Sequence, residues 1–301
     1  MTPFEFLQPS SLREALALLD PDDPDVRPFA GGTALMLMMK GGVLKPRRLI
    51  SLQRIEPQYA GISMAGEHEL RLGALATLSA VEHSPLVRRA APVVGAAMPR
   101  LSNVRVRNVA TVGGGLAHAD PHMDLPPVLC ALRAQVSIRG PRGDRTLPVE
   151  DLITGYLETA LRRDELITEV RIPVRIGQTA AYLKCTSRSA DDWPALGVAV
   201  SIERDGTAVR ACNVIIAAAT DKPTHARSAE SELLGRDAAD PCVVARAAQA
   251  AAAELLLHGD AMGTADYKRQ LVRVYAGRAI RAALAAAPAA WSHDAKRTGS
   301  D

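Results

Sequence analysis

Aromatic side chains are scarce in this chain. Three Phe, five Tyr and two Trp amount to 3% of 301 residues. Any core must therefore be aliphatic and alanine-rich, which a 48% hydrophobic composition permits. Cysteine is equally sparse: Cys130, Cys185, Cys212 and Cys242 include no C-x-x-C pair, and their spacings match no zinc or iron–sulfur frame. They are expected to be buried or half-buried thiols. Neither sign of charge dominates, with 36 Lys and Arg against 33 Asp and Glu. That balance offers no electrostatic footprint for nucleic acid. No apolar run reaches the ~18 residues a membrane span requires. The opening Met1-Thr2-Pro3-Phe4-Glu5 lacks the basic and apolar regions of a signal peptide. The expectation is a cytoplasmic protein with no membrane span. A nucleophile elbow of the G-x-S-x-G kind is also missing.

What is present is glycine in two informative places. The first segment is Ala30-Gly31-Gly32-Thr33-Ala34, between an apolar stretch ending at Phe29 and a helix-like run from Leu35 to Lys40. The second is Thr111-Val112-Gly113-Gly114-Gly115-Leu116-Ala117-His118. Glycine lets backbone N–H groups approach an anion and turn with positive φ. A helix that begins there adds its free N–H groups. Two such segments about eighty residues apart suit two phosphates, or both sides of one pyrophosphate. Neither is a Rossmann or Walker signature: the third glycine of G-x-G-x-x-G falls on His118, and Gly31-Gly32-Thr33 lacks the Gly-Lys-Ser/Thr ending.

The pattern along the chain predicts an α+β protein of two modest domains. Ser11-Leu12-Arg13-Glu14 is a capping box in front of the run 15–19, so a helix starts there. A strand over 26–29, a helix capped by Thr33 and ended by Gly41, and a strand over 48–52 make a small α/β lobe. A strand over 69–73 follows, then a helix capped by Thr77 and another from Pro85 through Met98. Residues 101–124 read as a long functional loop. Pro126 and Pro127 start a helix. A hairpin spans 135–148, and a strand 166–172. The stretch 177–179 marks the domain joint. Strands over 181–186, 196–203 and 209–218, turning at Asp205-Gly206, precede helices over 228–234, 243–257 and 265–286.

Other constellations have plainer readings. His118, Asp120, His122 and Asp124 are divalent-cation ligand types, which makes a metal-dependent hydrolase one reading. A polar loop whose Asp and Pro residues fix turns is the other. Residues 35–39 form an apolar run that suits core packing behind the first glycine segment. Arg105 and Arg107 are expected at the surface or against a partner.

Several spaced motifs, taken in order, carry a resemblance over nearly the whole chain. They are Phe4-Glu5-Phe6-Leu7-Gln8-Pro9-Ser10-Ser11-Leu12, Ala30-Gly31-Gly32-Thr33, Met39-Lys40, Arg107-Asn108-Val109-Ala110-Thr111-Val112-Gly113-Gly114, Ala119-Asp120-Pro121 and Asp124-Leu125-Pro126-Pro127. Gly155-Tyr156, Glu165-Leu166-Ile167, Tyr182-Leu183-Lys184, Asp191-Asp192, Asp266-Tyr267-Lys268 and Arg278-Ala279 follow. The sequence resembles the FAD-binding medium subunits of the molybdenum hydroxylases, the family of the aerobic carbon monoxide dehydrogenase flavoprotein subunit and the xanthine dehydrogenase FAD domain.

That resemblance implies a two-lobed FAD-binding domain of the molybdopterin dehydrogenase flavoprotein type over 1–175, with subdomains 1–55 and 56–175. A C-terminal α+β domain with a small antiparallel sheet and helices would span 176–287, and a disordered tail 288–301. It implies FAD contacts at Ala30, Gly31, Gly32, Thr33, Ala34, Leu101, Ala110, Thr111, Gly113, Gly114, Gly115, Asp124, Ile167, Lys184 and Trp193, with no catalytic residue and no metal ligand. It also implies electron transfer from a small [2Fe-2S] subunit, beside a large molybdopterin-binding subunit, in a dimer of heterotrimers. A scaffold that kept the fold but lost FAD is the remaining alternative. Two departures motivate it: the family's usual Asn stands as Gly115 here, and a frequent Ser or Asp stands as Ala34. Each removes one side-chain hydrogen bond, worth about 0.5–1.5 kcal/mol.

Overall fold

A computed structural model describes residues 2–289. The N-terminal sheet pairs β1 (Glu5–Leu7), β2 (Val26–Phe29) and β3 (Arg48–Ser51), all parallel, in the order β1-β3-β2. Parallel neighbours need crossovers, and the helices Leu12–Leu18 and Thr33–Lys40 supply them. Ser11 Oγ accepts from the Glu14 N–H, as a cap should, but the Glu14 carboxylate reaches back to the Ser10 N–H rather than to that of Ser11.

The central sheet is antiparallel and five-stranded. Its strands are β4 (Ile62–Ala65), β5 (Glu69–Gly73), β6 (Gln135–Gly140), β7 (Gly143–Pro148) and, after the short pair β8 (Ile153–Gly155) and β9 (Glu158–Thr159), β10 (Leu166–Pro173), in the order β4-β5-β10-β6-β7. Its inner face packs Leu70, Leu72, Val136, Ile138, Val170 and Ile172 under helices that contribute Val81, Val87, Val94 and Leu129. The helix expected from Pro85 to Met98 is three pieces, Pro85–Ala90, Pro92–Ala97 and a 3₁₀ turn Met98–Arg100. Pro92 has no N–H to donate and so breaks the run.

The C-terminal lobe is a four-stranded antiparallel sheet of β11 (Thr179–Cys185), β12 (Leu196–Asp205), β13 (Ala208–Ala217) and β14 (Thr224–His225). The β12–β13 turn falls on Gly206 and Thr207, with Gly206 at φ 58°. Helices Arg227–Leu233, Pro241–Glu254 and Ala265–Ala285 cover one face. Their buried positions are mostly alanine, for example Ala247, Ala251, Ala276 and Ala279. Small side chains bring helix and sheet close, which is how a core poor in aromatics fills its volume. The other face of this sheet sends Tyr182, Ala199 and Ile215 into the core of the central sheet, so the two lobes share a packed seam. Of the tail expected over 288–301, Ala289 packs against that central core; residues 290–301 lie outside the described residues.

Candidate functional site

Both glycine segments line one cavity of about 340 Å³, a size typical of small-molecule sites. The first segment leaves β2 and turns into the helix Thr33–Lys40. Gly32, not Thr33, occupies its N-cap position, at φ 69° and ψ 1°. That left-handed backbone is costly for residues with a Cβ, and a Cβ on Gly32 would also sit 2.4 Å from the Phe29 ring. The first N–H groups of the helix have no intrahelical acceptors and are free for a ligand.

The second segment is not the long irregular loop expected over 101–124. It holds two short helices, Val104–Arg107 and Val112–His118, and the three consecutive glycines lie inside the latter. Thr111 is its N-cap, accepting from the Gly114 N–H at 3.1 Å. The Val112 and Gly113 N–H groups donate to the carbonyls of Ala76 and Ala74, stitching the segment to the end of β5. Propensity opposes a helix through Gly113, Gly114 and Gly115; the Thr111 cap and this stitching outweigh it.

The two segments touch. A Cβ on Gly31 would lie 2.0 Å from the Val109 carbonyl oxygen, and one on Gly113 would lie 2.6 Å from the Ala74 Cβ. Glycine at these positions is what lets two backbones close on one cleft. Ala30, Ala34, Leu101, Ala110, Thr111, Gly114, Gly115 and Ile167 also line it. Sequence reasoning missed Phe29, Met38, Leu75, Leu157 and Leu161 in the wall. They come from four separate stretches that only the folded chain assembles, and no local motif marks them. His118 lines the cleft too, and burial holds its pKa below the ordinary value.

Asp124, Lys184 and Trp193 lie apart from that wall. Tyr182 Oη donates to Asp124 Oδ1 at 2.5 Å, and Lys184 Nζ donates to Asp124 Oδ2 at 3.0 Å and to the Arg100 carbonyl at 2.7 Å. Tyr182 and Lys184 are two residues apart on β11, so both side chains leave the same face. Gly197 on β12 pairs with Lys184, and a Cβ there would sit 2.8 Å from the Tyr182 hydroxyl. The Lys184 and Asp124 side chains are 3% and 5% exposed. Burial raises the Asp124 pKa despite the opposing pull of Lys184 and Tyr182. The cluster adjoins the cleft, because Leu101 and Leu125, the chain neighbours of Arg100 and Asp124, are in its wall. Trp193 is exposed and stacks on His122.

Three expectations are corrected. Arg107 is buried rather than at the surface: its guanidinium pairs with Glu82 at 2.8 Å and donates to the Ser102 carbonyl at 2.6 Å. It is a tie that shapes the turn before the second glycine segment. Cys242 is exposed, while Cys130 and Cys212 are buried and Cys185 is half-buried. The residues His118, Asp120, His122 and Asp124 do not converge on one point, since Asp124 turns to Tyr182 and Lys184 while His122 lies between Asp120 and Asp260. Among the described residues no group of three or more His, Cys, Asp or Glu is arranged to hold a metal ion.

Fold and cleft together define an α+β protein whose two glycine segments line one cavity of small-molecule size. Comparison with known proteins gives the cofactor and the family. The model of the FAD-binding domain in molybdopterin dehydrogenase matches residues 2–175, and that of the CO dehydrogenase flavoprotein C-terminal domain matches residues 181–283. The carbon monoxide dehydrogenase medium chain of Hydrogenophaga pseudoflava is 32% identical over 282 residues, covering 94% of this chain and 97% of that one. The glyceraldehyde dehydrogenase medium chain of Sulfolobus acidocaldarius is 29% identical over 279 residues, 92% of this chain and 97% of its own length. The solved Hydrogenophaga pseudoflava carbon monoxide dehydrogenase lacking the Mo-pyranopterin moiety superposes with a TM-score of 0.90 at 34% identity, over 95% of this chain and 100% of that one. The chain belongs to the FAD-binding medium subunits of the molybdenum hydroxylases, and is an oxidoreductase component. These relatives are medium chains of multi-subunit enzymes. No helix among the described residues is long and apolar enough to cross a membrane.

Proposed function

We propose that this chain is the electron-transfer subunit that carries FAD between a molybdenum-containing partner and an external acceptor. The observation that supports it most is the meeting of the two glycine segments at one cleft, where a side chain at Gly31 would collide with the Val109 carbonyl just before the second segment. Ala30, Gly31, Gly32, Thr33 and Ala34 would hold the pyrophosphate through the free N–H groups at the start of the Thr33–Lys40 helix, and Ala110, Thr111, Gly113, Gly114 and Gly115, where the N–H groups of Ala110, Gly113, Gly114 and Gly115 are bonded within the protein, would form the opposing wall against it. Leu101 and Ile167 supply apolar wall. Asp124, Lys184 and Trp193 complete the proposed contact set at the adjoining end. Bound FAD supplies the redox chemistry.

The chain's own residues bind, orient and exclude water, and none is assigned as a general acid or base. Lys184 is paired with the Asp124 carboxylate beside the cleft, and the pair fixes that end of its wall. Substrate oxidation belongs to a large molybdopterin-binding subunit. Two [2Fe-2S] clusters on a small subunit pass electrons to this chain. The assembly is a dimer of heterotrimers in the cytoplasm. Within the chain we assign the FAD-binding domain to 1–175, with lobes 1–55 and 56–175, and the C-terminal domain to 176–287. Co-expression with a large and a small partner tests this: all three chains should co-purify and reduce an acceptor. A medium chain that stays alone, or a complex active without it, contradicts the assignment.

Two outcomes follow for the cofactor itself. FAD is held without a covalent bond, so denaturing the yellow protein and filtering it should release the colour; colour retained with the chain would count against this. Gly115→Asn should tighten FAD by about 0.5–1.5 kcal/mol, up to tenfold in Kd, by returning the side-chain hydrogen bond. Gly115 has an ordinary helical backbone, and a Cβ there meets only the flexible end of Met123 at 3.3 Å, so the helix accepts the change. FAD titration into deflavinated wild type and variant decides it. Weaker binding would mean that another group has taken the Asn site.

A further inference from the structure

Away from the glycine segments, Asp120, His122, Asp260 and Lys268 form a line of charged groups. His122 Nδ1 lies 3.1 Å from Asp120 Oδ1, and Nε2 lies 3.0 Å from Asp260 Oδ2. Both neighbours are carboxylates, which only accept, so both ring nitrogens must donate and the ring is an imidazolium. Asp260 is fixed in turn by Lys268 Nζ at 2.6 Å. Lys268 is 0% exposed and also donates to the Ala218 carbonyl at 2.8 Å. The Ala218 N–H donates to the Pro121 carbonyl, which closes the circuit on the residue before His122. One face of the imidazolium carries the indole of Trp193, with ring centroids 5.4 Å apart and planes within 8°. A cation against an indole face is attracted by the ring quadrupole. The turn bearing Trp193 is closed within itself by bonds between Ser189 and Asp191 and from the Asp192 N–H to the Ser189 carbonyl. The stack joins that turn to the body of the protein.

We propose that His122, clamped as an imidazolium between Asp120 and Asp260, is a positioning residue that holds Trp193 and the 189–193 turn beside the Asp124–Lys184 end of the cofactor cleft. What Trp193 is positioned for rests on the cofactor reading; the stack does not. The groups facing the ring come from each element around it. They are Asp120 on its own turn, Asp260 on the segment before the last helix, and Lys268 behind Asp260. His118 Nε2 stands 3.9 Å from the far oxygen of Asp120, and its pKa is depressed by burial. For His122, burial pulls the pKa down, but the hydrogen bonds to Asp120 and Asp260 outweigh it and hold it above the ordinary 6.5. The sign follows: the clamp's contribution to stability is complete below the unfolded value and is lost as pH rises through the folded one.

The test needs no cofactor. Trp291→Phe leaves Trp193 as the single tryptophan of the full chain, and its emission is followed from about pH 5 to 9, the range in which a histidine titrates. Emission should be quenched while the imidazolium is stacked on the indole and should rise in one step, with a midpoint above 6.5. His122→Gln should abolish the step. Asp120→Asn keeps an acceptor but removes a charge, and should move the midpoint down by about one pH unit. Asp260→Asn should do the same; if it fails to fold because Lys268 loses its partner, Asp120→Asn still gives the answer. No step in the parent, a step that survives His122→Gln, or a midpoint unmoved by Asp120→Asn overturns the proposal. FAD titration on the same proteins separates the two readings. A parent that shows the step but binds no FAD contradicts the cofactor assignment and leaves the clamp intact.

Discussion

Gly32→Val should lose FAD affinity by at least about 100-fold, close to 2.7 kcal/mol, while the chain stays folded. The left-handed backbone at φ 69° costs a β-branched residue roughly 1–3 kcal/mol, and the new Cβ would arrive 2.4 Å from the Phe29 ring, which must move. Both displace the free N–H groups at the start of the Thr33–Lys40 helix. Gly114→Val acts on the opposite wall, where a Cβ would lie 2.8 Å from the Thr111 hydroxyl that caps the helix. Circular dichroism and a thermal melt establish that the variants fold, and FAD titration measures the loss. Normal FAD occupancy in both folded variants would sink the pyrophosphate-cradle assignment.

Lys184→Met should destabilise the protein by about 3–5 kcal/mol near neutral pH, because it leaves a buried carboxylate without its cation. The side chains concerned are 3% and 5% exposed, so water does not take over the role of Lys184. The effect has a direction in pH. The Asp124 pKa is already raised by burial, and removing Lys184 raises it further. Protonation then relieves the unpaired charge, so the penalty should shrink as the solution is acidified. Replacing both partners, Lys184→Met with Asp124→Leu, should recover part of the loss. Urea unfolding of the single and double variants at neutral and mildly acid pH measures all of this. A single variant as stable as the parent would show that the ion pair contributes little.

The legible parts of the fold were those with strong local chemistry. The β12–β13 hairpin, the Thr77 cap and the last long helix follow from pattern and capping alone. The short strands Glu5–Leu7, Ile62–Ala65 and Thr224–His225 escaped because partners distant in sequence specify them. The helix in the second glycine segment is not legible locally, since three consecutive glycines disfavour it and it depends on backbone bonds to Ala74 and Ala76, which no local window contains. At the site, the meeting of the two glycine segments in one cavity follows from their sequence signature. The burial of Arg107 and the clamp on His122 do not, since Glu82 and Asp260 are 25 and 138 residues from the groups they meet.

If the two touching glycine segments form the FAD cradle, this chain should bind FAD without a partner. The most direct measurement is FAD titration into the deflavinated full chain, followed by isothermal calorimetry with Gly32→Val as control. Saturation at one FAD per chain is expected, with binding lost in the variant. A folded chain that takes up no FAD, or a Gly32→Val chain that binds as tightly as the parent, would contradict the cradle assignment.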